Sequence, residues 1–397
     1  MFLSPNVTKI EPSITLEIDA RAKAMKAKGI DVISLSVGEP DFNTPRHICD
    51  AAIQAINDGF THYTPATGIP ELKKAVCDKF RRDNGLEYKP TQISINCGAK
   101  HSVFLAIYCL TCPGEEVIIP APYWVSYPEM AKIAGGTPVI IEGSPETDLK
   151  VTADQVKNAI TPKTKLIILN SPSNPTGMAY TEEELRALAE VIVDAGIYVI
   201  SDEIYEKLVY DNVKHVSIGS FDKEIFNRTI TINGVSKAYA MTGWRIGYTA
   251  GPEEIIKAMG TLQSQETSNP NSIAQKASIA ALNGPEDSIA AMKEEYVKRR
   301  EYIVNRLNAI DNVKCIKPEG AFYAFPDVSA LYGKKYKGKV INGSFAFCEY
   351  MLESKNIAIV PGIGFGADNF VRISYATSMK NIETAMDRFE SGVQALE

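Results

Sequence analysis

Runs of branched apolar residues alternate with helical patterns through the middle of the chain. Short β-rich runs fall at residues 93–96, 116–119, 138–141, 165–169, 198–201, 229–232 and 246–249. Several are nearly continuous in Val and Ile, which predicts strands buried on both faces. Between them, apolar residues recur at helical spacing. Thr181-Glu182-Glu183-Glu184 has the form of a capping box, Leu185, Leu188 and Ile192 follow on one face, and Gly196 is placed to end the helix. Alternation of this kind predicts an α/β fold, a mostly parallel seven-stranded sheet sandwiched by helices. After about residue 288 the pattern changes. Residues 293–310 read as a long charged amphipathic helix, followed by short strands at 313–316, 321–325 and 370–375 and a lysine-rich surface loop at 333–339. These predict a second, smaller α+β domain.

Composition narrows the class. The chain has 397 residues, 45% hydrophobic and 23% charged, with a net charge of −6. That is ordinary globular composition, and the acidic balance argues against a nucleic-acid partner. No run approaches the roughly 18 continuous apolar residues of a membrane span, and the N-terminus lacks the basic and apolar stretches of a secretory signal. Seven cysteines form no repeated metal-site spacing, and Cys109 and Cys112 stand as a single Cys-x-x-Cys pair at a helix end. Reduced thiols in a cytoplasmic protein follow, and four dispersed histidines offer no zinc site.

The chemistry gathers where predicted strands end, the usual place for ligands in an open α/β sheet. Residues 93–96 run into Cys97-Gly98-Ala99-Lys100, whose small residues at a helix start leave backbone N–H groups free for a phosphate or simply make a tight turn. Residues 165–169 lead to Asn174-Pro175-Thr176-Gly177, where Asn174 can donate to a ring oxygen or shape a turn. Residues 198–201 deliver Asp202, which suits a protonated pyridine nitrogen and equally a helix N-cap. Trp124 offers a flat face, or core packing. Lys237 sits among small and aromatic residues with Ser236 beside it and Arg245 eight positions on. Burial would favour its neutral amine, which captures carbonyl carbons, while an arginine fork holds anions. Arg372, inside an apolar strand, suits a carboxylate or the strand's solvent face.

In this order the motifs resemble those of class I, fold-type I aminotransferases dependent on pyridoxal phosphate (PLP), in particular the bacterial aspartate aminotransferase group. The resemblance runs from Gly38-Glu39-Pro40-Asp41-Phe42 through Tyr63-Thr64-Pro65, Pro122-Tyr123-Trp124, Asn174-Pro175-Thr176-Gly177, Asp202-Glu203-Ile204-Tyr205 and Ser236-Lys237 to Arg372. It implies that Lys237 carries PLP as a Schiff base and is the catalytic base. Asp202 would pair with the pyridine nitrogen, Asn174 and Tyr205 with the ring oxygen, and Trp124 would stack on the ring. Gly98, Ala99, Lys100, Ser236 and Arg245 would bind the phosphate, with Tyr63 reaching it from the other subunit of a homodimer. Arg372, with Gly38 nearby, would clamp the substrate α-carboxylate. The implied domains are a segment 1–45 joined to the small domain, a large PLP-binding domain 46–288 and a small domain 289–397.

The implied reaction is ping-pong transfer of an amino group from L-aspartate to 2-oxoglutarate, giving oxaloacetate and L-glutamate. Some family members bind the side-chain carboxylate with a partner-subunit arginine, but residues 253–290 contain none. The resembled subgroup uses a lysine matched here by Lys100, with Thr15 in a segment that closes over the pocket. Prephenate or aromatic substrates, and a PLP-dependent lyase on the same fold, stay open. A nicotinamide dehydrogenase is disfavoured, because Gly362-Ile363-Gly364-Phe365-Gly366 opens no βαβ unit.

Overall fold

The computed structural model describes residues 3–397. Seven strands make one sheet: β1 (Ile93–Asn96), β2 (Glu116–Ala121), β3 (Thr137–Glu142), β4 (Thr164–Asn170), β5 (Tyr198–Asp202), β6 (Thr229–Gly234) and β7 (Gly247–Ala250). Their spatial order is β1-β7-β6-β5-β4-β2-β3. Neighbours run parallel except where β7 meets β1 and β6. The fold is therefore α/β with a mostly parallel sheet. The central strands are buried along their length, as their apolar runs require, whereas β3 at one edge is half-exposed. Within this sheet, each expected strand residue falls inside an observed strand except Ile246. It is displaced because Arg245 before it adopts a left-handed backbone, with φ 58°.

Helices cover both faces. The helix Glu182–Ala195 begins as its sequence specifies: Glu184 N donates to Thr181 Oγ1 at 3.2 Å and Thr181 N donates to Glu184 Oε2 at 2.8 Å. It ends at Gly196, whose φ of 69° is a conformation glycine adopts without a Cβ clash.

Beyond the sheet, the helix Asp287–Asn308 leads to three antiparallel strands, β8 (Tyr323–Ala324), β9 (Val360–Pro361) and β10 (Val371–Ser374), in the order β9-β10-β8. Tyr296, Phe322, Tyr323, Phe347 and Phe389 pack into their core, together with Tyr205 from the end of the large sheet. Ile33–Ser34 pairs in parallel with Ile357–Ala358, tying the N-terminal segment to the C-terminal part.

Three expectations change in this region. Residues 313–316 form no strand. Asn308 takes the strand partner's place, accepting from Cys315 N at 2.8 Å and donating to Cys315 O at 3.0 Å, and only an isolated bridge between Lys314 and Asp327 remains. The strand expected at 321–325 shortens to Tyr323–Ala324. The lysine-rich loop contains a small hairpin, Lys335–Tyr336 against Lys339–Val340.

The Thr181 cap is the cleanest local test. Thr181→Ala removes an N-cap oxygen and should lower unfolding free energy by about 1 kcal/mol, read by chemical denaturation.

Candidate active site

The C-terminal ends of β4, β5 and β6 converge on a cavity of about 410 Å³, closed from the other side by β8, β10 and the N-terminal segment. The lining includes Thr15, Gly38, Ala99, Lys100, Trp124 and Asn174, and Asp202, Tyr205, Ser236, Lys237, Arg245 and Arg372. Residues spread over more than 350 positions of the sequence thus meet in one place.

Lys237 follows β6 and reaches back across the cavity, where its Nζ donates to Gly38 O at 2.6 Å. Burial lowers its pKa to about 8, and the charges of Arg372 and Arg245 push the same way against Glu39 and Asp202. The amine is thus far easier to deprotonate than an exposed lysine. Asp202 ends β5 and is 4% exposed. Burial raises its pKa to about 6 even though Tyr127 Oη donates to Oδ2 at 2.7 Å and Ile204 N donates to Oδ1 at 3.3 Å. Asn170 fixes the same corner by donating to Asp202 O at 2.9 Å while its Oδ1 accepts from Asn174 N at 2.8 Å.

Arg372 lies on β10 and is 2% exposed, so it is on the buried and not the solvent face. It donates to Asn174 Oδ1 at 2.9 Å and to Ser36 O at 2.6 Å, and its Nε is buried without a partner. Arg245 donates to Thr242 O and Cys97 O. A Cβ on Gly98 would sit 2.5 Å from Arg245 Nη2, so glycine is needed for the guanidinium to lie against this turn. Lys100, in the first turn of the helix Ala99–Leu110, places Nζ 4.9 Å from the centre of the Trp124 ring. Burial, then the charge of Arg245, lowers its pKa.

The electrostatic balance is lopsided. Lys100, Lys237, Arg245 and Arg372 face the cavity, against Glu39 and Asp202. Their partners among the described residues are carbonyls, an amide and aromatic rings, not carboxylates. Such a cavity is built for anions.

Tyr63 stands apart: it is 91% exposed and does not line this cavity. Gly98 flanks the cavity through its contact with Arg245. Sequence reasoning missed Tyr127, Tyr323 and Glu39, all of which line it. Tyr127 follows Trp124 by three residues and packs edge-on against it, with ring centres 5.3 Å apart. That helical spacing was the available signal. Tyr323 lies in an apolar run and reads only as part of the short strand expected at 321–325. Elsewhere, Glu203, Glu206 and His215 lie close enough to share a cation, but Lys79 already places its ammonium against Glu206.

A polar, cationic cavity at the strand ends of a mostly parallel sheet marks an α/β enzyme that handles anionic ligands. Comparison with known proteins narrows this. The sequence profile of "Aminotransferase class I and II" matches residues 30–389. An aspartate aminotransferase of Bacillus sp. (strain YM-2) is 51% identical over 392 residues, covering 99% of each chain. An aspartate/prephenate aminotransferase of Cereibacter sphaeroides is 48% identical, covering 98% of each. The crystal structure of the aspartate aminotransferase from Rhizobium meliloti superposes with a TM-score of 0.97 at 46% identity and covers 100% of both chains. The chain belongs to the class I and II aminotransferases.

Asp202 yields a pH-dependent test. Its folded pKa is about 6 against an ordinary 3.8, so the native state pays for a buried charge above pH 6 and sheds that cost by protonation below it. Asp202→Asn should therefore stabilise the ligand-free protein at pH 8, by up to about 3 kcal/mol, and the advantage should shrink as pH falls from 6 to 4. Urea unfolding at three pH values checks this.

Proposed function

We propose that this chain is a PLP-dependent aspartate aminotransferase, moving the amino group of L-aspartate to 2-oxoglutarate. The observation that carries the reading is the joint placement of Lys237, Asp202, Arg245 and Arg372 around one cavity.

The donor set fits the cofactor. Asp202 has no cationic partner within hydrogen-bond reach among the described residues, and a protonated pyridine nitrogen would provide one. Trp124 would face the ring, and Asn174 and Tyr205 would donate to its oxygen. Ser236, Arg245 and the backbone at Gly98, Ala99 and Lys100 would hold the phosphate, with the N–H groups of Ala99 and Lys100 at the start of a 12-residue helix as donors, since Gly98 N already donates to Asn96 O at 2.8 Å. When bound, PLP supplies an aldehyde that condenses with amines and a ring that draws electrons from the α-carbon of the bound amino acid.

The protein's own residues do the rest. Arg372, held from two sides, receives the substrate α-carboxylate and fixes the α-carbon relative to Lys237. Lys237, with its pKa near 8, keeps a neutral fraction at physiological pH, so Nζ can take the α-proton and later return one. Asp202, with a pKa of about 6 and so largely ionised at neutral pH, would hold positive charge on the ring nitrogen. Lys100 and Thr15, which line the same cavity, would meet the second carboxylate of a dicarboxylic substrate.

Tyr63 points outward from this chain, which accords with a homodimer in which it reaches the phosphate of the other subunit. The domains would be 46–288 for cofactor binding and 289–397, joined by residues 1–45, for closure. No helix among the described residues is long and apolar enough to cross a membrane, in keeping with a cytoplasmic enzyme. The Cereibacter relative's name keeps prephenate as a second acceptor to assay.

Incubation with aspartate and 2-oxoglutarate should yield glutamate and oxaloacetate, and Lys237→Ala should abolish it; release of pyruvate or ammonia would indicate a lyase instead. Lys100→Ala should lower kcat/KM for aspartate about 10- to 100-fold, the worth of one charged hydrogen bond, and leave an apolar amino acid within about threefold. Equal losses for both substrates would remove Lys100 from the specificity argument.

A further inference from the structure

Tyr323 is 0% exposed and touches three parts of the site at once. Its hydroxyl lies 2.7 Å from that of Tyr205. Its ring lies under the Arg372 guanidinium, 4.7 Å from ring centre to Cζ. Its hydroxyl also abuts Gly38, where a Cβ would come within 2.4 Å of it, and Gly38 O is the acceptor for Lys237. The residue is anchored on β8, paired with Ser374, two positions beyond Arg372 on β10. It is therefore fixed to the strand that carries Arg372 while bonding to a residue beyond the end of β5 in the large sheet.

Two buried hydroxyls in contact share one hydrogen bond, so one oxygen donates and the other keeps its hydrogen for a further acceptor. Burial raises the pKa of both phenols, and both stay protonated at neutral pH. If Tyr323 donates, the Tyr205 hydrogen is free to point into the cavity, and accepting a bond makes Tyr205 a stronger donor in turn. The flat ring meanwhile gives Arg372 a face to stack on without competing for its N–H donors.

We propose that Tyr323 is a positioning residue that couples the two ends of the site: its hydroxyl donates to Tyr205, directing the Tyr205 hydrogen at the cofactor's ring oxygen, and its ring supports Arg372. The inference rests on the PLP reading above. It also separates two functions of one side chain, which two substitutions can dissect. Tyr323→Phe keeps the ring and deletes the donor. Tyr323→Leu deletes both.

The test uses PLP-loaded protein and two readouts other than turnover: the pH midpoint of the bound cofactor's visible absorption, and the Kd of succinate, a dicarboxylate with no amino group. A weaker donor at Tyr205 leaves more negative charge on the ring oxygen, which holds the neighbouring proton to higher pH. Tyr323→Phe should raise the midpoint by about half a pH unit or more while succinate binds within about twofold of wild type. Tyr323→Leu should shift the midpoint likewise and weaken succinate about five- to tenfold through Arg372. An unshifted midpoint in Tyr323→Phe overturns the relay, and so overturns the proposal even if Tyr323→Leu fails to fold. Unchanged succinate binding in a folded Tyr323→Leu overturns the support of Arg372. Wild-type protein that takes up no PLP would overturn the functional reading and this inference together, whereas a silent Tyr323→Phe in a PLP-loaded, transferring enzyme overturns this inference alone.

Discussion

Uncompensated charge at the strand ends is the constraint around which this structure is organised. Four cations and a buried carboxylate are brought together without being paired to one another, at a cost that ordinary cores avoid. The cavity holds this arrangement because each charged group is anchored by neutral partners. Lys237 leans on a carbonyl, Arg372 on an amide and a carbonyl, and Asp202 on a phenol and a backbone N–H. Neutral anchors fix geometry while leaving the charge itself available to a ligand.

The sheet makes this possible. In β4 and β5 apolar residues fill the middle of the strand, and the polar residues of the site, Asn170 and Asp202, come at its C-terminal end. Asn170 links two of these ends, since one side chain bonds both Asp202 O and Asn174 N. The antiparallel β7 has a different role. It delivers Arg245 just before its first residue, in a left-handed turn that brings the guanidinium against Gly98 at the end of β1. A neighbouring glycine, Gly247, is required there because a Cβ would lie 2.2 Å from Ala99 N, inside the helix start itself.

This division explains what could be read from the chain alone. Several of the buried strands announce themselves by nearly continuous Val and Ile, and the seven strands were legible to within a few residues, as was the capped helix at Thr181. Polar residues at strand ends were legible too, because a charge beside an apolar run needs a reason. Their roles were ambiguous singly, and the ordered set removed much of that ambiguity. Less was legible where polar groups hide in apolar context. Tyr323 touches Tyr205 through one oxygen and Arg372 through its ring, at the edge of an aromatic cluster, and nothing in the run Ala321 to Phe325 distinguishes it from core. Residues 313–316 looked like a strand, but a side chain distant in pairing, Asn308, supplied the hydrogen bonds that a neighbouring strand would have made. Tyr63 is a different case: its surroundings within one chain are solvent, so a single chain cannot display the second-subunit contact proposed for it.

The two cations proposed to meet a substrate's two carboxylates are not built alike, and the difference has a physical logic. Arg372 is enclosed, hydrogen-bonded on two sides and stacked on an aromatic ring, so little motion is left to lose when a carboxylate arrives. That suits a group every amino acid shares. Lys100 sits at a helix start on a flexible four-carbon stem, with its ammonium over the Trp124 ring. A cation held only by a π face can leave it for a carboxylate at small cost, or return to it when the substrate has no second charge. Replacing Lys100 by an arginine fork would favour dicarboxylates more rigidly and would leave a larger unpaired cation when anything else is bound. A lysine over an indole is therefore the arrangement expected of an enzyme that must accept a dicarboxylate in one half-reaction without rejecting a differently shaped one in the other.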